Sequence, residues 1–315
     1  MTIERVATNA QSQFMLAQIA QANLNLNQTQ QQVATGKVAS DYAGMGDKAA
    51  MLEAARSAAA RADAYQSATQ MAVNQADLQN TQLSTLSDLA GQLRQAVTAA
   101  LANNDASTLM TQAKSIFDQA SQILNSKDAN GNYLYGGEKD NTPPVSVGSL
   151  SDLAALPSAS AVFDNGSVPR SVNVGDGQTV QVGLLASDVG GDLMSALKDI
   201  ANFNDGPTGN FGKTLTGAQS DFLGGAIQTA TSAAQNLNNV AAANGYMYNR
   251  LQDASTQQQA TSTLYKGFTS DLEDVDMASA VSKLNQNQVA LQAALQVTSR
   301  LNQVSLLNYL PAPTA

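Results

Sequence analysis

The sequence contains no cysteine, no histidine and no tryptophan among its 315 residues. Without cysteine the chain can form neither disulfides nor thiolate metal sites, and it has no cysteine nucleophile. Without histidine it lacks the commonest general base and the commonest nitrogen ligand for metals. Most classes of enzyme therefore lose their usual side chains, and we expect no catalytic site, no cofactor and no metal ion.

Positive charge and long apolar runs are also scarce. The chain has 16 Lys and Arg, scattered singly, against 25 Asp and Glu, which gives a net charge of -9. So acidic a chain has no basic patch that could displace counterions from phosphates, which argues against a nucleic-acid partner. No apolar run approaches the roughly 20 residues that cross a bilayer, and the N-terminus has no apolar signal core. These features alone would indicate a cytoplasmic protein.

What the chain does have is a long helical repeat. In the segment from Lys48 to Ala100, one set of positions recurs every four and three residues without a break. These positions hold apolar or small side chains, except for the polar Thr69 and Gln79. A helix of that length would be on the order of 80 Å, longer than a compact domain can bury, so a rod is expected. Residues 106–126 then return as a shorter helix, and a second long helix from Leu215 can lie antiparallel to the first.

Both ends of the chain carry narrow helical seams that are typical of coiled coils. The N-terminal seam uses Leu16, Ile19, Asn23, Leu26, Gln30 and Val33, and the C-terminal one uses Met277, Val281, Leu284, Gln288, Leu291, Leu295 and Thr298. Two such helices are predicted to pair, yet their polar positions leave too little apolar surface to offset the entropy of ordering. We therefore expect further copies to cover them, through Leu16, Ile19, Leu26, Val33, Val281, Leu284, Leu291, Leu295, Leu306 and Leu307.

The middle of the chain changes to a pattern of short strands. Four are predicted, at residues 145–147, 161–163, 168–174 and 180–184, and the last two form a hairpin around Gly175 and Gly177. A short helix is predicted over residues 192–203. The fold prediction is mainly α: a long antiparallel helical rod with paired terminal coiled-coil helices and a small inserted β-containing domain. Three domains are predicted. They are the terminal coiled-coil assembly domain (residues 1–40 with 275–315), the helical rod domain (residues 41–144 with 205–274) and the inserted β-rich outer domain (residues 145–204).

A few motifs could bind ligands, but each has a simpler interpretation. Residues 128–132 begin like a calcium loop, yet Tyr133 stands where glycine is required, so a plain turn is favoured. Gly175 and Gly177 lack the third glycine of a phosphate loop. Asp274 and Asp276 are expected to cap the last helix, with partner recognition as the alternative. Tyr133 and Tyr135 are expected to pack in a core rather than form a binding surface.

Three segments together resemble the axial proteins of the bacterial flagellum, and among them the hook-filament junction family. Residues 32–37 read Gln-Val-Ala-Thr-Gly-Lys, and residues 126–137 end in Gly-Asn-Tyr-Leu-Tyr-Gly-Gly. The third segment begins at Asp274 and ends in the Ser-Leu-Leu-Asn-Tyr-Leu of residues 305–310. Flagellin shares the terminal thirds, and the second segment with the Leu-Leu-Asn-Tyr-Leu end favours the junction family. One departure is that residues 40–47 lack the family's usual Asp-Asp-Pro.

The resemblance implies a structural subunit that connects the hook to the flagellin filament. It implies self-association in a ring, contacts with the other junction protein and with flagellin, and a cytoplasmic export chaperone. It also implies export through the flagellar type III apparatus without a cleaved signal peptide, and therefore an extracellular place in the flagellum. Two alternatives stay open from the sequence: a flagellin filament subunit, and a secreted coiled-coil adhesin or effector whose β insert binds a ligand.

Overall fold

The computed structural model describes the backbone of residues 2–307 and the side chains of residues 10–300. Within this range the chain forms eight α-helices and one two-stranded sheet. The helices are α1 (Thr2–Thr35), α2 (Tyr42–Met45), α3 (Lys48–Asn103), α4 (Leu109–Leu124), α5 (Leu150–Ala155), α6 (Ala186–Asn204), α7 (Gly217–Glu273) and α8 (Met277–Leu307). The strands are β1 (Ser171–Gly175) and β2 (Gln178–Gln181). None of the described helices has the length and apolarity that a membrane crossing would need.

The chain divides into two compact units, and α3 and α7 each contribute to both. Unit 1 contains Met1–Arg61 and Thr261–Ala315, and unit 2 contains Ala62–Ala260. In unit 1, α1 packs against α8. Unit 2 contains α4, α5, α6, the hairpin and the central parts of α3 and α7. The division of the chain into a terminal domain, a rod domain and an inserted domain, which the sequence suggests, stays a prediction.

The main core of unit 2 lies between α3, α4, α6 and α7. The leucines of α3 that carry the four-three spacing, Leu83, Leu86 and Leu93, are fully buried there. Burying a side chain of this size contributes about 1.5–3 kcal/mol. The other helices supply Ile116, Phe117, Leu193, Met194, Leu197 and Leu223. The predicted mainly α fold with long antiparallel helices is therefore confirmed.

The pairing of α3 with α7 in unit 2 includes one polar level. Asn244 Nδ2 donates to the carbonyl of Ala76 at 2.8 Å, and Ser87 Oγ donates to Asn238 Oδ1 at 3.0 Å, which fixes the antiparallel direction. Gln79 and Asn244 are both buried. They lie between the main core, which begins at Leu83 on α3, and a second apolar cluster around Val73. Among the described residues, both polar atoms of the Gln79 amide and Oδ1 of Asn244 have no hydrogen-bond partner. Buried amide groups without partners cost stability, so this level weakens the helix pair.

The insert contains fewer strands than the sequence suggests. The hairpin is confirmed, with Val172 opposite Val180 and Gly177 at φ 70° in its turn. The predicted strands at 145–147 and 161–163 are wrong: Val145 and Phe163 form one isolated bridge, and residues 159–162 form a 3-10 helix. The segment after residue 132 likewise forms only an isolated bridge, between Lys127 and Tyr133. Short apolar runs do not distinguish strand from other buried segments, which explains these errors.

Helix α5 is not predicted from the sequence. Side-chain hydrogen bonds cap it at both ends. At its start, Ser149 Oγ accepts from the backbone N–H of Asp152 at 3.2 Å. At its end, the buried Lys198 ammonium donates to the carbonyls of Leu153, Ala154 and Leu156 at 3.1, 2.7 and 2.6 Å. These are the carbonyls that a helix leaves without partners at its C-terminus. A cation from α6 therefore caps α5.

Helix α6 begins six residues before the predicted start at Asp192, and Gly190 and Gly191 lie inside it. Gly190 faces α4 so closely that a Cβ there would lie 2.6 Å from Leu124 Cδ1. A larger residue at this position would therefore force the buried Leu124 side chain to move.

The insert shares the main core of unit 2. Val145, Leu150, Leu153 and Val162 are buried in the same cluster as the leucines of α3. The hairpin covers a second, smaller cluster in which Val174, Val180 and Val182 meet Val73 of α3 and Leu251 of α7. Removing residues 145–187 would therefore expose both apolar clusters.

Candidate assembly surface

Helices α1 and α8 pair along one narrow stripe in unit 1. On each helix, the positions that face the other helix recur every four and three residues, as a coiled-coil seam requires. They are Met15, Ile19, Ala22, Leu26, Thr29 and Val33 on α1, and Ala280, Leu284, Asn287, Leu291, Ala294 and Thr298 on α8. Only Thr29 and Ala280 are fully buried, and the others are half-buried. The predicted pairing of the terminal helices is confirmed, and their shared core is thin.

The pair carries a polar contact near its middle. Asn287 Nδ2 donates to Thr29 Oγ1 at 3.0 Å and lies 3.3 Å from the carbonyl of Asn25. Thr29 Oγ1 in turn donates to the Asn25 carbonyl at 2.6 Å. Such a buried polar pair fixes the register of two helices at some cost in stability.

The ten residues predicted for assembly fall into three groups. Ile19, Leu26, Val33, Leu284 and Leu291 lie half-buried in the stripe between α1 and α8. Leu16, Val281 and Leu295 are exposed, with 62%, 42% and 49% of their surface accessible. The side chains of Leu306 and Leu307 lie outside the described residues. The sequence placed Leu16, Asn23 and Gln30 in the N-terminal seam, whereas Met15, Ala22 and Thr29, one residue earlier, face α8 instead.

Most of the large apolar side chains that remain exposed lie in unit 1. Among the described residues, 16 large apolar side chains are exposed, and 12 of these belong to unit 1. They are Phe14, Leu16, Leu24, Tyr42, Met51, Leu264, Phe268, Met277, Val281, Val289, Leu295 and Val297. By contrast, the buried apolar residues described in unit 1 are Met45, Leu52, Ala55, Ala59 and Ala280. This concentration of exposed apolar side chains makes unit 1 the candidate assembly surface of the chain.

A clamp of backbone and side-chain bonds joins the end of α1 to the start of α8. The N–H of Val38 donates to the Glu273 carbonyl at 2.7 Å, and the N–H of Val275 donates to the Gly36 carbonyl at 2.9 Å. Lys37 Nζ lies 2.6 Å from Asp274 Oδ1. Gly36 ends α1 at φ 70°, as its position after the predicted helix suggests.

The clamp extends to α3 through Arg56, whose guanidinium lies 2.6 Å from Glu273 Oε2 and donates to Tyr42 Oη at 3.0 Å. The hydrogen bond from Lys37 lowers the pKa of Asp274, and the same contact raises the pKa of Lys37. The bond to Glu273 likewise raises the pKa of Arg56. These groups are exposed, so the network orients the chain more than it stabilises it.

The segments that follow the clamp, residues 38–47 and the start of α8, differ in part from the prediction. Residues 38–47, expected to be a loop or extended piece, contain α2, whose cap is Asp41 accepting from the N–H of Gly44 at 2.8 Å. Asp276 caps α8 as predicted, since its Oδ1 accepts from the N–H of Ala278 at 3.0 Å. Asp274 instead accepts from Lys37 and Ser270. The two aspartates therefore have different roles.

The other candidate motifs are occupied by structural contacts. Asp128 Oδ1 accepts from the N–H groups of Asn130 and Asn132 at 2.8 and 3.0 Å, which makes residues 128–132 a turn. Asp128 Oδ2 lies 3.3 Å from Arg170. Gly175 ends β1 opposite Gln178, and Gly177 lies in the hairpin turn. Within the part of the chain that the structure describes, no group of three or more Asp and Glu could hold a metal ion.

Comparison with known proteins shows what the chain is similar to. Residues 227–310 match the model of the bacterial flagellin C-terminal helical region. A flagellar hook-associated protein from Vibrio parahaemolyticus has a similar fold, with 19% identity and a TM-score of 0.55 over 74% of this chain and 99% of that one. FlgL from Bacillus cereus is 12% identical, with a TM-score of 0.48 over 66% of this chain and 96% of its own. No curated protein sequence matches. The resemblance to flagellar axial proteins that the sequence predicts is confirmed.

Proposed function

We propose that this chain, a flagellin-like protein by its C-terminal helices, is a structural subunit of the bacterial flagellum that connects the hook to the filament. Its role is mechanical rather than catalytic. The fold, shared with a hook-associated protein over nearly the whole length of that protein, supports the position in the flagellum.

The observation that carries the proposal is that most of the exposed large apolar side chains described in the chain lie in unit 1. A thin pair of terminal helices with exposed leucines, valines and a phenylalanine has too little core for a unit that stands alone. Neighbouring copies of the chain would cover these side chains, and the ends of the resulting ring would contact the other junction protein and flagellin. Unit 1 is thus the assembly part of the molecule.

Export belongs to the same proposal. The subunit would leave the cell through the flagellar type III apparatus without cleavage. A cytoplasmic chaperone would cover the C-terminal helix until then, because its exposed apolar residues would otherwise associate too early.

A gene deletion tests the position in the flagellum. Cells that lack the protein should assemble hooks without filaments and release flagellin into the medium, as electron microscopy and immunoblots of the medium would show. In complemented cells, an antibody should label a narrow zone between hook and filament. Labelling along the whole filament would instead favour the flagellin alternative, and normal filaments in the deletion strain would contradict both.

A point substitution tests the surface. Leu295→Asp places a charge on an exposed apolar position of α8 and should abolish motility while the protein is still exported. Gln235→Asp is the matched control, because Gln235 is also exposed on a long helix but belongs to α7 in unit 2, outside the candidate surface. Leu291 is a poorer choice, since it lies half-buried in the pair within the chain. Equal motility of the two variants would show that this face is not an interface.

A further inference from the structure

The four-three repeat of α3 is interrupted at two polar positions, and these differ in how their polar atoms are satisfied. Thr69 is buried and donates from Oγ1 to the carbonyl of Tyr65 at 2.7 Å, so it finds its partner within its own helix. Gln79 is also fully buried, yet among the described residues neither its Nε2 nor its Oε1 has a hydrogen-bond partner. Buried polar groups are almost always bonded to protein or to ordered water. Gln79 therefore needs a partner that the described part of the chain does not supply.

Asn244 of α7 lies at the same level as Gln79 of α3. Its Nδ2 donates to the carbonyl of Ala76 at 2.8 Å, and Ala76 lies three residues before Gln79, about 4.5 Å along the helix axis. Asn244 is 1% exposed, and its Oδ1 has no partner among the described residues. The same holds for the buried Nε2 of Gln75, one turn before Gln79 on the same side of α3. Donors and acceptors without protein partners are thus gathered within about one turn of α3.

Gln82, three residues after Gln79 on α3, shows how a glutamine of this helix is satisfied by protein. Its Oε1 accepts from Tyr135 Oη at 2.8 Å, and its Nε2 donates to Ser126 Oγ at 3.0 Å. Both partners belong to the turn over residues 126–137. The two glutamines have the same amide group, so the difference between them lies in what surrounds each one.

The chemistry of the atoms at the level of Gln79 selects what binds there. They belong to amide groups, which carry no charge to balance an ion, and burying an unbalanced ion is costly. An apolar molecule would leave the same donors and acceptors unpaired. Water both donates and accepts, and buried water makes about three hydrogen bonds to polar groups that lack protein partners. A water molecule that accepts from Gln79 Nε2 and donates to Asn244 Oδ1 fits this set of groups.

We infer that the level of Gln79 and Asn244 is a binding site for ordered water between α3 and α7. The water links the two helices by hydrogen bonds where the main core ends and the smaller apolar cluster under the hairpin begins. It satisfies the buried amides, but it supplies none of the apolar contacts that lie on either side of it. The site lies within unit 2, so the inference does not depend on the proposed function.

A crystal structure of the full-length chain, at a resolution that shows ordered water, tests the inference. Density for a water molecule should lie within about 3.2 Å of both Gln79 Nε2 and Asn244 Oδ1. The amide of Gln82 is the internal control, because Tyr135 and Ser126 bond to it directly and no water should come between them. A direct bond between Gln79 and Asn244, or a level without density for water, would overturn the inference.

Nuclear magnetic resonance tests the same site in solution, through the transfer of magnetisation from water to the side-chain amide of Asn244. Water that stays bound while the protein tumbles gives a cross-peak of opposite sign to that of surface water. This cross-peak should be present in the parent chain and lost in Gln79→Leu, which removes a partner of the water and continues the apolar repeat. Gln95→Leu is the matched control, because Gln95 is exposed on the same helix, and it should keep the cross-peak. Absence of the cross-peak from the parent, or its survival in Gln79→Leu, would overturn the inference.

Discussion

The hydroxyl of Tyr135 donates to Oε1 of Gln82 on α3 at 2.8 Å, inside the main core of unit 2. Gln82 uses its Nε2 to donate to Ser126 Oγ at 3.0 Å, so the turn over residues 126–137 is tied to α3 at both ends. Burial raises the pKa of Tyr135, because the ionised form would lose its hydration. The tyrosine that helped to suggest the family is therefore a core residue, as the sequence predicts.

Tyr135→Phe should lower the free energy of unfolding of unit 2 by about 0.5–1.5 kcal/mol, the usual net value of one hydrogen bond. Urea denaturation followed by circular dichroism measures this. Tyr133→Phe is the control, since its ring keeps the contact with Lys127 Nζ, 4.6 Å from the ring centre. Equal effects of the two substitutions would show that the bond to Gln82 contributes nothing.

Long helices could be predicted because their pattern repeats many times. The spacing from Lys48 to Ala100 has one helical interpretation, and α3 indeed covers Lys48–Asn103. In the insert, by contrast, runs of three to four apolar residues fit a strand, a 3-10 helix or one turn of α-helix equally well. Only packing decides among them: Leu150 and Leu153 of α5 and Val162 face the same core as α3.

The phase of the terminal seams could not be predicted for a related reason. Met15 and Leu16 are adjacent, both are apolar, and either could begin a four-three stripe. The structure places Met15 towards α8 and leaves Leu16 exposed. A helix that contacts two sets of neighbours carries two overlapping stripes, and a single sequence does not say which stripe belongs to which neighbour.

The clamp should respond to pH through Asp274. Its pKa is lowered when the chain is folded, so the stabilisation it gives is present above the unfolded value of about 3.9 and is lost as the pH falls through the lowered pKa. The pKa of Lys37 is raised, so its share is present below about 10.4 and is lost as the pH rises through the raised value. Across the neutral range both contributions are present.

Asp274→Asn should therefore lower the urea midpoint at pH 7, and the difference from the parent should disappear towards pH 2. The expected change is small, because the groups are exposed. A Lys37→Met background is the control: the ammonium that lowers the pKa of Asp274 most is then missing and only the bond from Ser270 remains, so the second substitution should have a smaller effect. A difference that persists unchanged at pH 2 would mean that the charge of Asp274 is not what matters.

The last prediction concerns local stability in unit 1. In the free chain, amides near Leu26 and Leu291 should exchange with solvent much faster than amides near Leu86 and Leu93, which lie in the main core of unit 2. The reason is that most of the stripe between α1 and α8 is only half-buried, so opening that pair exposes little additional apolar surface. Hydrogen–deuterium exchange with mass spectrometry, on the purified chain and on assembled flagella, measures both regions.

Assembly should slow exchange at Leu26 and Leu291 and leave Leu86 and Leu93 nearly unchanged, because neighbouring copies cover only the surface of unit 1. The Leu295→Asp protein supplies the control, since it should keep the fast exchange of the free chain under all conditions. Equal protection of the two regions in the free chain would show that α1 and α8 are held by their own contacts. In that case assembly would not order the ends of the chain, and the exposed apolar side chains would act only as a docking surface.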